Sequence, residues 1–366
     1  MRTSAIKEQN VERVESVEKY IEKIEKLRKE VGKSQKFLLR GQANKDWELI
    51  PSIFRMKNYN VEKEKEIYHI IDKMNFSQFS KKLFLNKVIE AQHFGIPTRL
   101  LDWTDNPLIA LYFAANEEKE SDGKIFVYWT SDIIQFDNEY FEILSKIIED
   151  ILKNVNVRRS DEKIDDFISK FFKFFLGEDI LFLEVKFEND RLKAQSGYFS
   201  IIFSELIFSN YFDRIMKECF KKTISWNKWK IEFNDKPFIN DLNILANKFI
   251  KKESIVPESI SEKIDHILLK YIKKRSVLRG NEKKLKEIRF RLQNYLIDLK
   301  REVKNRNLTR KHTWPPTNKN YFTFEIPAGA KNHIREQLEF LKISALTVFP
   351  DIYGLSEYFK RTFWEV

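Results

Sequence analysis

The spacing of apolar residues near the N-terminus predicts an amphipathic helix. From Val11 to Val31, apolar residues recur three and four positions apart with Glu and Lys between them, a pattern that places them on one helical face. We expect this helix to pack on the following domain, and a short coiled-coil or dimer contact is the alternative. Gly32 ends the helix. The apolar run 37–39 then predicts a short buried strand that delivers Arg40 to a loop.

A second stretch of helical periodicity covers residues 62–113. It is interrupted at residues 94–98, where a Gly and a Pro stand two positions apart and break the pattern. We therefore expect two helices that flank a loop. The second helix has a clear start, because Asp105 or Asn106 can cap it and Pro107 suits its first turn.

Strands are predicted where β-branched and aromatic residues cluster. Such runs lie at residues 124–129, 180–185 and 321–327. Between and after the first two runs, residues 140–176 and 200–310 have helical periodicity. The sheet is therefore expected to be built from both ends of the chain.

These elements predict an α+β protein with a mixed sheet core, a large and mostly helical insertion, and an N-terminal amphipathic helix. We divide the chain into an N-terminal helix that packs on the core, a core in two segments, and a basic helical insertion. The corresponding ranges are 1–35, 36–200 with 320–366, and 201–319.

Composition narrows the class of protein. The chain has 366 residues, 42% of them hydrophobic, which is enough apolar material for a large core and excludes a disordered chain. The single Cys219 excludes internal disulfide frameworks, zinc ribbons and iron–sulfur clusters. No apolar run approaches 18 residues, so we expect neither a signal peptide nor a membrane span, and a cytoplasmic location.

The net charge of +11 is concentrated in one segment. Residues 245–311 contain 20 Lys and Arg against 8 Asp and Glu, so the rest of the chain is nearly neutral. Such a segment is expected either to contact nucleic acid through phosphates or simply to present a solvated helix face. The candidate phosphate contacts are Lys273, Lys274, Arg275, Lys283, Lys284 and Lys286.

Three polar clusters are the candidates for chemistry, because the chain lacks the phosphate loop, the dinucleotide fingerprint, HExxH and GxSxG. In the first, Arg40 at a strand end is a candidate clamp for phosphate or carboxylate, with Gly41 allowing a ligand to approach the backbone. The alternative is an ion pair across the sheet. Clustered carboxylates for a two-metal nuclease are missing, and no metal is expected.

The second cluster covers residues 91–107 and the third covers 190–199. His93 is a candidate donor or general base, or else a buried structural histidine. Arg99 and Asp102 are candidates for a ligand site, or for an ion pair that fixes the loop. Gln195 either presents its amide to a ligand or caps a turn.

The three clusters and the C-terminal Phe-Pro-Asp at 349–351 resemble the FRG domain family. The family's long signature resembles residues 92–114, its Gln-x-Gly-x-Phe element matches 195–199, and its Phe-Arg-Gly motif has Leu39 in place of Phe. The family occurs in bacteria and phages and is discussed in host–phage conflict, which implies a role in phage defence or as a toxin. The resemblance covers residues 36–129, 180–200 and 320–360.

A more distant resemblance is to ADP-ribosyltransferases, which place an Arg or His at the end of the first strand of the NAD site. Arg40 matches that element, and Trp103-Thr104 before the next helix is similar to their Ser-Thr-Ser element. The resemblance implies that Arg40 holds the NAD phosphates and that Trp103 stacks near nicotinamide. The family's catalytic Glu has no counterpart near Gln195, so the acid is Glu325, Asp351 or Asp102, or is absent.

Together these resemblances imply that the mixed sheet core is similar to that of ADP-ribosyltransferases, with an NAD site and the transfer of ADP-ribose or the cleavage of NAD. An ADP-ribosyltransferase-like fold without transferase activity is an alternative. A non-enzymatic nucleic-acid-binding or sensor protein that uses the basic helices is another alternative. The residues expected to act in catalysis are Arg40, His93, Thr104 and Gln195. Those expected to bind the cofactor are Gln42, Arg99, Asp102 and Trp103.

Overall fold

A computed structural model gives the architecture. It describes residues 11–57, 59–73, 83–152, 162–171, 180–185, 190–201 and 320–359, with single residues or short pieces at 241, 244–245, 262–267, 270, 286, 289–290 and 293. Most of the predicted insertion at 201–319 therefore lies outside the described residues. Within the described ranges, no helix has the length and apolar content needed to cross a membrane.

Strands and helices are both abundant in the described part, as the predicted α+β class requires. The strands are β1 Val11–Arg13, β2 Lys36–Gln42, β3 Leu100–Thr104, β4 Gly123–Thr130, β5 Ile133–Ile134, β6 Leu181–Glu184, β7 Gly197–Ile201 and β8 Tyr321–Ile326. The helices are α1 Val17–Val31, α2 Val61–Lys73, α3 Phe84–His93, α4 Pro107–Ala115, α5 Glu139–Leu152, α6 Glu162–Lys170, α7 Asp190–Gln195, α8 Lys331–Phe340, α9 Ala345–Val348 and α10 Ile352–Phe359.

The eight strands form one mixed sheet in the order β1-β8-β4-β2-β3-β7-β6-β5. The outermost pairs β1–β8 and β5–β6 are parallel, and the others are antiparallel. At the centre, β2 pairs with β4 along its whole length. Its other neighbour, β3, shares with it the single register pair Leu39–Thr104. The two halves of the sheet are therefore joined at a narrow point.

Each half of the sheet packs on its own helices. Buried residues of β2, β4 and β8 form one cluster with α1, α4 and α8. Those of β3, β6 and β7 form another with α2, α3, α5 and α6. A third cluster contains Leu38, Trp103 and Phe182. Because Leu39 belongs to the first cluster and side chains alternate along a strand, the third cluster lies on the opposite face.

The N-terminal prediction is partly wrong. Helix α1 begins only at Val17, where Ser16 caps it by accepting a hydrogen bond from the Lys19 backbone N–H. The preceding Val11–Arg13 forms strand β1, which pairs with β8, and the Val14 N–H extends the pairing by donating to the Glu325 carbonyl oxygen. A three-residue edge strand is too short to leave a period-two signal of its own.

Two central strands were also missed. Residues 100–104, expected to belong to a loop, form β3, and residues 197–201, expected to be a turn and the start of a helix, form β7. Every residue of β7 is buried, and only Asp102 of β3 is exposed. Strands buried on both faces lose the alternation that identifies a strand in sequence.

A buried lysine ties the C-terminal part of the chain to this sheet. The side chain of Lys331, at the start of α8, is almost wholly buried. Its ammonium donates hydrogen bonds to three backbone carbonyl oxygens, those of Ala43, Glu117 and Glu118, at 2.6–2.9 Å. Burial lowers the pKa of Lys331. The carbonyl groups of Glu117 and Glu118 lie just beyond the C-terminus of α4, and that of Ala43 follows β2.

Candidate functional site

A cleft opens where β2 and β3 diverge beyond their single register pair. Its volume is about 230 Å³, slightly below the range of roughly 300–1,000 Å³ typical of small-molecule sites. The four residues expected to act in catalysis all line it. The lining residues are Leu39, Arg40, Gly41, Gln92, His93, Asp102, Trp103, Thr104, Ile109, Phe113, Gln195 and Phe199.

Arg40 is the cation of the cleft. Its Nη1 donates to the Asp102 carbonyl oxygen at 2.7 Å and lies 3.6 Å from the Asp102 carboxylate. Its Nε is buried and has no hydrogen-bond partner among the residues that the structure describes. Burial lowers the pKa of Arg40, and the nearby charge of Arg55 lowers it further, against the opposing effect of Asp102. A guanidinium with five N–H donors therefore retains donors for a ligand.

Asp102 is oriented from its other side by an amide. Gln92 Nε2 donates to Asp102 Oδ1 at 2.8 Å, and the Thr98 hydroxyl donates to the Gln92 amide oxygen. Asp102 thus stands between Arg40 and Gln92 with its side chain 59% exposed. A carboxylate that is held in place yet open to solvent is available to a ligand.

The other two candidate acids lie elsewhere in the described structure. Glu325 is on β8, with its carboxylate 3.6 Å from the Arg13 guanidinium. Asp351 accepts a hydrogen bond from the Gly354 backbone N–H at the start of α10. Of the three acids considered from sequence, Asp102 is the one that lines the cleft.

Thr104 and Gln195 connect the walls of the cleft. The Thr104 hydroxyl donates to the Gln195 carbonyl oxygen at 2.6 Å and accepts from the Asn106 backbone N–H at 3.1 Å. The Gln195 amide donates to the Val348 carbonyl oxygen at 3.2 Å. Through these bonds β3, α7 and α9 are held together at the cleft.

His93 is the last residue of α3 and borders the cleft from the other side. Its ring contacts the edge of the Phe94 ring, with centroids 5.3 Å apart. Phe94 itself is 68% exposed. The His93 side chain is half-buried and lines the same cleft as Arg40, as a donor to an anionic ligand requires.

Arg99 has a different place from the one expected. It does not line the cleft, and its guanidinium forms a buried ion pair with Glu64, with Nη2 and Oε2 at 2.7 Å. Burial alone would lower the pKa of Arg99, but the Glu64 carboxylate reverses this and raises it. Tyr59 accepts a further hydrogen bond from Arg99. The loop is fixed by Glu64, not by an Arg99–Asp102 pair.

Trp103 lines the cleft, but its indole contacts two residues that are not part of the cleft wall. The indole N–H donates to the Ser200 hydroxyl at 2.8 Å, and the ring packs edge-on against Phe182. The aromatic side chain that faces the cleft from α4 is Phe113, one helical turn after Ile109. Ile109 and Phe113 were not among the site residues expected from sequence. Their spacing of four on one helix does indicate that they share a face.

The glycine beside Arg40 serves packing. A Cβ at Gly41 would lie 1.9 Å from the Ala110 carbonyl oxygen of α4 and 2.8 Å from the Ala114 nitrogen. Gly41 therefore lets α4 approach β2 closely, which brings Phe113 to the cleft. Gly41 also lines the cleft, and its expected role in admitting a ligand stays a prediction.

Gln42 does not line the cleft. It lines an adjacent cavity of about 170 Å³, which Arg40 and Arg55 also line.

Of the basic residues proposed to bind nucleic acid, Lys286 is described and exposed. The other five lie outside the described residues, and they are Lys273, Lys274, Arg275, Lys283 and Lys284. In the described ranges no three His, Cys, Asp or Glu side chains form a metal-binding group.

The fold and the cleft thus define an α+β protein with one mixed sheet. Arg40 lies in a cleft at the narrow point of that sheet, between β2 and β3. Residues 35–123 match the family model of the FRG domain, so the chain contains an FRG domain, and the resemblance stated from sequence is confirmed there. This range contains β2, β3 and α4, and with them Arg40, His93 and Thr104. No curated protein and no solved structure matches the chain.

Proposed function

We propose that the cleft binds NAD, with the Arg40 guanidinium as the clamp for its phosphates. The observation that carries this proposal is the state of Arg40, whose Nε is buried without a partner in the described structure. A buried donor is costly to leave unsatisfied, and a guanidinium matches phosphate oxygens with two parallel hydrogen bonds. The distant resemblance to ADP-ribosyltransferases assigns the same role to Arg40.

The remaining lining residues fit the nicotinamide half of the ligand. Phe113 and Ile109 supply an apolar wall for the ring, and His93, which lines the same cleft, supplies a donor. Thr104 and Gln195 position these walls through their bonds to each other and to Val348.

The reaction that this arrangement supports is cleavage of the bond between nicotinamide and ribose. Nicotinamide leaves with the bonding electrons, and the ribose carbon becomes positively charged in the transition state. The Asp102 carboxylate stabilises this charge. A nucleophilic group on an acceptor then bonds to the carbon and releases its proton, which gives ADP-ribosylation, or water does so, which gives NAD hydrolysis. Either outcome is compatible with a role as a toxin or in defence against phage.

Incubation of the full chain with NAD labelled in either half tests this proposal. We expect the parent to release nicotinamide, and Asp102→Asn to lower the rate by roughly a hundredfold or more while NAD affinity changes little. Asp351→Asn is the matched control and should behave as the parent. Release of nicotinamide at the parent rate by Asp102→Asn would exclude Asp102, and absence of NAD binding by the parent would exclude the proposal.

The charge of residues 245–311 favours a second candidate function, the binding of nucleic acid. Its excess of Lys and Arg suits phosphate contacts, which carry little sequence information. Affinity for RNA or DNA should then fall steeply with salt, and charge reversal at Lys273, Lys274 and Arg275 should weaken binding similarly for every sequence. Absence of binding at low salt would exclude this function.

A further inference from the structure

A second cavity adjoins the cleft on the far side of Arg40. It has a volume of about 170 Å³ and shares Arg40, Gly41 and Phe113 with the cleft. Arg40 therefore stands at the junction of two chambers. A ligand held by its guanidinium has room to extend in both directions.

The second cavity holds another fixed cation. Arg55 lines it and donates from both Nε and Nη2 to the Ile50 carbonyl oxygen, at 3.2 and 2.9 Å. This fork of hydrogen bonds fixes the guanidinium in position. Arg40 and Arg55 line the same cavity, and the positive charge of Arg55 contributes to lowering the pKa of Arg40. Two guanidinium groups on one cavity wall repel each other, and a bound diphosphate would relieve the repulsion.

Gln42 supplies a polar group that needs a ligand. Its side chain is buried, with 4% of its surface exposed, and its amide oxygen has no hydrogen-bond partner in the part of the chain that is described. The cavity wall includes this residue. Buried amides are normally paired. An amide side chain pairs with the N6 and N7 edge of adenine through two hydrogen bonds.

Aromatic side chains complete the cavity. Trp47 lies on its wall and is 44% exposed, so its indole is accessible to a ligand in the cavity. Tyr112, Phe113 and Phe349 also contribute to the wall. A flat base stacks favourably on such rings.

From these observations we propose that the second cavity is an adenine site, in which Gln42 reads the base edge and Trp47 stacks on the ring. The diphosphate then lies between Arg40 and Arg55, and the nicotinamide half lies in the cleft. This inference rests on the proposed function for its choice of NAD as the whole ligand. The adenine site itself is defined by the residues of the second cavity.

Calorimetric titration of the full chain with AMP, ribose 5-phosphate and nicotinamide mononucleotide tests the assignment. The parent should bind AMP about tenfold tighter than ribose 5-phosphate, because AMP adds the stacked base. Gln42→Leu and Trp47→Ala should each weaken AMP binding about tenfold and leave nicotinamide mononucleotide within about twofold of the parent. Phe340→Ala, which alters an aromatic side chain 85% exposed on α8, is the matched control.

The folding of the variants is checked by thermal melts. Gln42→Leu replaces an unsatisfied buried amide with an apolar group of similar size, so its melting temperature should not fall. If it does fall, the AMP affinity of Trp47→Ala is the test of the adenine site, because the exposed indole contributes less to the core and its loss should disturb the fold less.

The outcomes separate this inference from the proposed function. Parent-like AMP affinity in both variants, or equal affinity of the parent for AMP and ribose 5-phosphate, overturns the adenine site even if nicotinamide mononucleotide binds. AMP binding that depends on Gln42 and Trp47 supports the adenine site even if nicotinamide mononucleotide fails to bind, a result that would count against the cleft. Failure of all three ligands to bind overturns both.

Discussion

The buried ion pair of Arg99 and Glu64 allows a quantitative test of which arginines support the fold and which bind a ligand. Both side chains are nearly inaccessible, with 4% and 0% of their surfaces exposed. The Tyr59 hydroxyl donates to Glu64 and accepts from Arg99, and the guanidinium lies 5.1 Å from the centre of the Phe54 ring. In Arg99→Met the Glu64 carboxylate remains buried without its counter-charge.

The expected cost of that variant is about 3–5 kcal/mol in the free energy of unfolding, the range found when one partner of a buried pair is removed. Removing both charges is different, because an apolar pair of similar volume needs no counter-charge. We therefore expect Arg99→Met with Glu64→Met to recover most of the loss, to within about 1 kcal/mol of the parent. The difference between single and double variants isolates the interaction.

Urea unfolding followed by circular dichroism measures these free energies, and calorimetric titration with NAD measures binding. The double variant should fold and bind NAD like the parent, because Arg99 does not line the cleft. A single variant that loses less than about 1 kcal/mol would refute the buried-pair argument. A well-folded double variant that no longer binds NAD would return Arg99 to the ligand site, as first expected from sequence.

Three further predictions concern stability. Gly41→Ala should destabilise strongly in a thermal melt because the added Cβ meets the backbone of α4 at 1.9 Å, whereas Gly329→Ala, with open space around it, should melt like the parent. Lys331→Met should cost roughly 1–3 kcal/mol in urea unfolding because three carbonyl oxygens lose a charged donor; a parent-like midpoint would contradict this. The pKa of Asp122 lies below its ordinary 3.8, because the Ala328 N–H and Lys45 bond to the carboxylate. Its stabilisation is therefore complete above that value and lost as pH falls through the folded-state pKa, so the gap between parent and Asp122→Asn should shrink in melts from about pH 5 to pH 2.

Local sequence signals predicted much of the fold. Helix α4 is an example, since Asn106 caps it through a hydrogen bond to the Leu108 N–H and Pro107 occupies its first turn, as expected. The runs at β4, β6 and β8 formed the predicted strands. Strands β3 and β7 were missed because buried residues on both of their faces leave little of the polar alternation that marks a strand, although Asp102 of β3 is exposed.

The sequence indicated which polar residues meet at the candidate site. It did not indicate which distant residues those side chains contact. Polar residues concentrated around a Gly/Pro break indicated a site, and the structure brings Arg40, His93 and Thr104 to one cleft. The partner of Arg99 is Glu64, 35 residues away, and no local spacing identifies such a contact. The role of Gly41 likewise depends on α4, which approaches only in the folded chain.

The role of Arg40 is tested most directly by Arg40→Lys, which keeps the positive charge and removes the planar fork. Calorimetric titration with NAD should show about a ten- to hundredfold loss of affinity, equivalent to about 1.5–3 kcal/mol for lost charge-assisted hydrogen bonds. The melting temperature without ligand should hardly change, and Arg13→Lys, at a side chain 65% exposed, should match the parent in both measurements. An Arg40→Lys variant that melts several degrees lower yet binds NAD with the parent's affinity would show that Arg40 supports the fold and does not bind the ligand.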